Sequence, residues 1–204
     1  TRRYGASLEK ISKVIDARPG EIMFGLNMIV NKGKTVFVGD TSVHEYPSSE
    51  QLAEIAISSA RVVRLFGFDP KVAFVSHSTF GQPLTSRTKH IKNAVNILKE
   101  KNVDFKFDGD MQPDVALNEE YKELYPFSGI VGNANILIMP GQHSAAISFK
   151  MMKTLGGAKV IGPLLIGLGE PIEIAPLRSS TSDIINLASV AAYSAGIINY
   201  GKKN

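Results

Sequence analysis

No cysteine occurs among the 204 residues, which excludes disulfides and thiolate metal sites and fits, without requiring, a reducing compartment. Long apolar runs are missing too: nothing approaches the ~20 residues that cross a bilayer, and no signal-peptide pattern is present. A cytoplasmic location with no membrane contact is the expectation. There is no Walker or dinucleotide fingerprint. The histidines His44, His77, His90 and His143 lack the paired spacing of a metal-binding helix, and no metal site is expected. No internal repeat, low-complexity segment or Pro/Gly/Ser linker divides the chain. The net charge of +4 and isoelectric point near 9.2 come from scattered bases without interleaved aromatics, which favours an anionic metabolite over nucleic acid as partner.

What is present is an ordinary globular composition, 44% hydrophobic and 21% charged, in which strand-like and helix-like segments alternate. Leu8, Ile11, Val14 and Ile15 recur at helical spacing and predict a helix over 7–17, with Ser7 as cap and Pro19-Gly20 as stop. IMFGLNMIVN and TVFVGD flank a turn at Gly33, so the two read as paired strands. Asp40 and Thr41 follow at a strand's carboxyl end, where ligands gather in α/β sheets. Pro47, Ser48 and Ser49 start a long helix ending at Gly67, in which Ser58, Ser59 and Ala60 permit close packing. KVAFVS is a buried strand, and Thr85 or Ser86 caps a helix over 87–101. DFKF reads as a strand, DGDM as a turn, and PDVAL as a helix with proline in its first position. GIVGNANILIMP gives a loop and a strand, and HSAAISFKMMKTLGG a helix stopped by glycines. From Leu155 to Ala188 two apolar strands meet turns, and a final helix over 181–198 opens behind small hydroxyl residues. The prediction is an α/β fold with a mostly parallel sheet flanked by helices, plus a hairpin extension.

Four constellations could carry chemistry. In SHSTFG, Ser76, Ser78, Phe80 and Gly81 leave a buried strand toward a helix whose first turn holds Arg87 and Lys89; the group either binds a phosphate or merely satisfies the strand end. DGDMQPDVAL places Asp108, Asp110 and Asp114 within seven residues. These either serve as base or ion ligands, though not in calcium-loop order, or form a turn and a helix start. Gly132 and Asn133 offer amides ahead of a strand, or a simple structural turn. Glycine amides around Gly162-Pro163, the hydroxyls of Ser179 and Ser180, and a helix mouth suit an anion. Asp183, in the first turn of that helix, is equally suited to capping.

These motifs also occur together. GPLLIGL followed by EPIEI and, past a Ser/Thr-rich turn, SDIIN, with VFVGDTSVHEYPSSEQLAEIA, FDPKVAFVSHSTFG, FDGDMQPDVAL and GNANILIMP, span nearly the whole chain. In that order they resemble the phosphate acetyl/butyryl transferases, with particular likeness to the transferase-like domain at the C-terminus of bacterial NADP-dependent malic enzymes. The resemblance implies an isocitrate/isopropylmalate dehydrogenase-like fold of two domains around a cleft, held here incompletely. Residues 20–175 would form the main α/β domain, and helices in 1–19 and 176–204 would pack toward a partly missing first domain. The start at Thr1 agrees with an upstream malic-enzyme domain.

It further implies that Ser76, Ser78, Phe80, Gly81, Asp108, Asp110, Asn133, Gly162, Pro163, Arg178, Ser179 and Ser180 contact substrate, and that Asp183 is the base taking the CoA thiol proton. A Ser-Arg pair that binds phosphate and steadies the tetrahedral state in active members is here Pro176-Leu177, with Arg178 one residue out of register. Acetyl-CoA, phosphate or acetyl phosphate are the implied ligands, with no permanently bound cofactor, and a homodimer is the implied assembly. The small-residue faces Ala56–Ala60 and Ala188–Ala195 would supply its interface. The expected function is an acetyl-CoA-binding, regulatory and oligomerising domain with weak or no transferase activity. An active phosphate acetyltransferase and a ligand-free assembly domain are the alternatives.

Overall fold

A computed structural model describes residues 4–81 and 85–201 of the chain. Six strands form one mixed sheet. The hairpin of β1 (Phe24–Asn31) and β2 (Lys34–Gly39) pairs from Leu26↔Gly39 to Asn31↔Lys34. Lys32 and Gly33 between them have φ of 48° and 76°, the two positive values that a two-residue turn matching strand twist requires. Next come β3 (Lys71–Val75), β4 (Lys106–Met111), β5 (Ile136–Ile138) and β6 (Lys159–Ile166). Their spatial order is β4-β3-β5-β2-β1-β6. β4, β3, β5 and β2 run parallel, and β1 is antiparallel to both β2 and β6. The α/β architecture predicted from alternation is therefore present, with the hairpin carrying the sheet out to a further edge strand.

Alternation along the strands divides the core in two. Leu26, Phe37, Phe74, Ile136, Ile138 and Leu164 face α2 (Ser49–Leu65), α3 (Ser86–Glu100) and Leu187 of α6 (Thr181–Gly201). Ile29, Val38, Ala73, Val75 and Leu137 face α4 (Pro113–Leu117) and α5 (Gln142–Thr154). Ser48 caps α2 in a reciprocal box with Gln51, and Thr85 does the same for α3 with Thr88, so both helix starts are written in the local sequence. Ala56 and Ala60 are buried against the sheet, where a side chain at Gly39 would come within 3.0 Å of Ile55. The small-residue face of α2 thus serves internal packing, not an interface with a second copy. On α6, Ala188 and Ala192 remain exposed.

Three expectations fail for tertiary reasons. The first helix, α1, covers Tyr4–Ile11, so Ser7 lies inside it and Val14 is exposed outside it. The chain leaves the helix because Ala17 bridges Leu168, with Arg18 N–H on the Gly167 carbonyl at 2.9 Å and Gly169 N–H on the Asp16 carbonyl at 2.9 Å. DGDM is not a turn but the carboxyl half of β4, paired in parallel with β3. EPIEI is not a strand. Instead the Glu173 carboxyl accepts the Leu165 N–H at 3.0 Å and covers the sheet edge that another strand would have extended. Asp40 is buried and also consumed by structure: it accepts the backbone N–H groups of Gly25, Ser42, Val43 and His44 and lies 2.8 Å from His44 Nδ1. No helix among the described residues is long and apolar enough to cross a membrane. Residues 82–84 of the loop after Gly81 and the Arg87 side chain, read above as part of a phosphate site, lie outside the described residues.

Two measurements follow. Asp40→Ala strands several buried N–H donors and is expected to cost about 3 kcal/mol, read as a lower urea midpoint at unchanged slope. Burial pushes the Glu173 carboxyl up from 4.5 to about 8, against the lowering bond from Leu165. The unfolded chain therefore ionises this group first, and stability falls as pH rises from about 4.5 to 8, by at most about 1.4 kcal/mol per pH unit from this group. Glu173→Gln should lose that slope between about pH 4.5 and 8. Parallel pH profiles for the two proteins check this: equal slopes would mean that the carboxyl is already ionised in the fold.

Candidate active site

The open edge of β6 is where α5, on one face of the sheet, meets α6 on the other. A cavity of about 240 Å³ lies in that angle, lined by Gly162 and Pro163 of β6, by Arg178 and Ser179 before α6, and by Asp183 and Asn186 on it. Five residues singled out in the sequence are thus brought to one hollow: Gly162, Pro163, Arg178, Ser179 and Asp183. Gly162 has φ 129°, and a side chain there would overlap the Asn27 carboxamide, so the backbone needs glycine to follow the irregular pairing opposite Asn27. The Tyr193 hydroxyl, donating to the Leu65 carbonyl at 3.2 Å, ties α6 to α2.

Asp183 and Ser180 cap the helix reciprocally. Ser180 N–H donates to Asp183 Oδ2 at 2.9 Å, and Asp183 N–H donates to Ser180 Oγ at 3.2 Å. The Ser180 carbonyl accepts from Ile184 at 3.1 Å, which makes Ser180 the cap and Asp183 the third helical residue. The bond from the Ser180 backbone, with its hydroxyl and the charges of Lys153 and Lys159, holds the Asp183 carboxyl below its ordinary 3.8. Such a carboxylate is a weak proton acceptor for a thiol of pKa ~8.5. The helix mouth is filled by the protein's own anion, so it is not the bare anion site read from the sequence. Positive charge in the cavity comes from side chains instead: Lys150 and Lys153 of α5, with Arg178.

Those two lysines, Phe149 and Asn186 were missed in the sequence. Lys150 and Lys153 stand three residues apart in a segment read correctly as a helix, and Asn186 stands three after Asp183; helical spacing places each pair on one face. What the sequence did not disclose is that both faces look into the same cavity.

The remaining candidates lie elsewhere. Ser78 Oγ donates to Asp110 Oδ2, both residues being buried, and Phe80 N–H donates to the Asp110 carbonyl at 2.7 Å. Gly81 continues that loop, and Ser76 Oγ is 3.4 Å from Ser78 Oγ. Phe80 packs its ring at a tilt against Tyr125 and edge-on against Phe127. Asp108 accepts from Gly109 N–H, Ser128 Oγ and Gly129 N–H, all local partners. This group sits at the carboxyl ends of β3 and β4, four and five strand steps from β6, or about 19 and 24 Å at ~4.8 Å per step. Asn133 precedes β5 and lies at the opposite end of the parallel strands, beside Lys34 and Asn118. The single pocket uniting serine loop, glycine amides and helix mouth thus resolves into separate groups across the sheet. Among the described residues, no three His, Asp or Glu side chains stand close enough to share a metal ion.

The chain belongs to the phosphate acetyl/butaryl transferase family, whose model matches residues 1–192. It is 46% identical over 196 residues to an NADP-dependent malic enzyme of Rhizobium meliloti strain 1021, covering 96% of this chain and 26% of that protein. It is 36% identical over 158 residues to a phosphate acetyltransferase of Clostridium acetobutylicum, covering 76% of this chain and 47% of that one. A phosphotransacetylase structure from Streptococcus pyogenes superposes with a TM-score of 0.90 at 29% identity, over 95% of this chain and 60% of that chain. The chain is a phosphate acetyltransferase-like domain similar to the C-terminal part of malic enzymes, and it spans about a quarter of their length.

Ser180→Ala removes the cap of α6 and is expected to cost about 1 kcal/mol, or about 2–4 °C in melting temperature for a chain of this size. Circular dichroism melts check it; an unchanged melting temperature would mean that the cap bears no weight.

Proposed function

We propose that this chain is an acetyl-CoA-binding domain that acts as a regulatory and oligomerising unit of a malic enzyme, with weak or no acetyl transfer of its own. The observation that carries this reading is the state of Asp183. Asp183, the residue on which the family resemblance places the thiol base, is held as a helix cap with its pKa below the ordinary 3.8, and the positions that the resemblance gives to a Ser-Arg pair are Pro176 and Leu177. Binding needs only cations and a cavity. Transfer also needs a base matched to the thiol and a donor aimed at the developing oxyanion.

A second reading, an active phosphate acetyltransferase, draws on Arg178, which lines the same cavity as Asp183. In that reading Arg178 binds phosphate and Asp183 is the base for attack of the CoA thiolate on the acetyl phosphate carbonyl. The malic-enzyme likeness and the paired losses at Pro176-Leu177 favour the first.

Calorimetry with acetyl-CoA is expected to give saturable binding. Phosphate-dependent CoA release is expected at least ~100-fold below that of a relative carrying the Ser-Arg pair, with no further loss in Asp183→Ala. Absence of binding at millimolar acetyl-CoA would overturn the proposal. Turnover comparable to the relative's and abolished by Asp183→Ala would establish the second reading.

A further inference from the structure

The stretch between β6 and α6 is tied to the sheet by a single side chain. Residues 169–180 form no helix or strand. Among the described residues, the only hydrogen bond made by 171–175 runs from Leu165 N–H to the Glu173 carboxyl, at 3.0 Å. Glu173 forms no ion pair among those residues either. Arg18, Glu21, Arg61 of α2, Glu170 and Ser194 of α6 line a small cavity with it, but the two arginines are turned to Glu21, whose Oε1 lies 2.6 Å from Arg61 Nη1 and 4.0 Å from Arg18 Nη1. From α1 comes Tyr4, whose hydroxyl is buried beside Ser42 and within reach of the charges of Glu173 and Asp40; Asp40 is itself paired with His44. No residue of α1 is fully buried. A carboxyl withdrawn from water with no cation beside it is stable there only while protonated, and segments that bury little surface open at low cost without unfolding the rest.

We propose that Glu173 is the catch of a pH-operated strap: protonated, it pins residues 171–175 and α1 against the end of β6, and ionised, it lets both open while the sheet stays folded. The device stands on this geometry and not on the identity of any ligand. The strap continues into Pro176, Arg178 and Ser179, which form one wall of the cavity at α6, so its opening frees that wall. In the open form Glu173 is an ordinary carboxyl at about 4.5, and in the closed form burial pushes it up to about 8. Opening therefore increases as pH rises between those values and levels off above about 8. Tyr4, pushed up to about 12 chiefly by burial, does not titrate in that window.

Amide hydrogen exchange on the full chain tests this, each rate being expressed as protection relative to the unstructured chain at the same pH. In wild type the Leu165 amide and the amides of α1 are expected to be protected well below those of β3 at every pH, and to lose protection about ten-fold or more between about pH 6 and 8. Glu173→Gln retains an acceptor for Leu165 N–H and removes the charge, so its strap should stay protected and lose the pH response. Tyr4→Ala should free α1 at every pH and leave the response of Leu165 in place. Equal protection of Leu165 at the two pH values in wild type would overturn the proposal without recourse to any variant. So would a pH response that survives in Glu173→Gln, because another group would then be titrating. Protection of Leu165 as high as that of β3 would also sink it, since the strap would then open only when the whole chain unfolds. Wild-type protection of α1 in Tyr4→Ala would overturn the part given to α1.

Discussion

The unpaired edge of β6 is the constraint from which the rest of the site follows. A parallel sheet of β4, β3, β5 and β2 is extended by an antiparallel hairpin strand and then by β6, and there pairing stops. An edge strand must be covered. Here the cover consists of the Glu173 carboxyl on Leu165 N–H, the bridge of Ala17 to Leu168, and helices reaching the edge from both faces. Two helices that converge on an edge from opposite sides cannot close against each other as they would against a flat face. The cavity is the space left between them.

What the cavity can do follows from which groups are still free within it. Asp183 is the residue that proximity alone would choose as a base, yet its carboxylate and the Ser180 N–H satisfy each other, and every neighbour but burial itself favours its charged form. A capping role and a base role pull the same pKa in opposite directions, and in this geometry capping wins. The cations form no ion pair among the described residues, though Lys150 lies 5.8 Å from the Phe149 ring centroid and Lys153 helps to lower the Asp183 pKa. Lys150, Lys153 and Arg178 give the cavity more positive than negative charge, which suits an anion.

Much of the fold was legible because it rests on local chemistry. Ser48 with Gln51 and Thr85 with Thr88 announce helix starts, Gly33 announces the hairpin, and Pro113 opens α4; each signal acts within a few residues. The misreadings share a cause. Residues 12–17 carry helical periodicity, but the pairing of 16–18 with the Gly167–Gly169 stretch outweighs a marginal helix tail. DGDM has turn composition, but parallel pairing with β3 holds it extended. EPIEI has strand composition, but Glu173 is more useful as a buried cap on the β6 edge than as part of another strand.

The chain's residue pattern by itself determined the class of architecture, the helix caps and the membership of Gly162, Pro163, Arg178, Ser179 and Asp183 in a common neighbourhood, because those residues lie near one another along the chain or belong to a short strand–turn–helix unit. Only the tertiary structure decided that Lys150 and Lys153 complete that neighbourhood, that the Ser78–Asp110 pair belongs to the far side of the sheet, and that Asp183 is committed to its helix. The physical reason is that strand order is set by pairing between distant segments. The order β4-β3-β5-β2-β1-β6 is a global solution to burying two apolar faces, and no local spacing along the chain encodes the distance between one edge and the other.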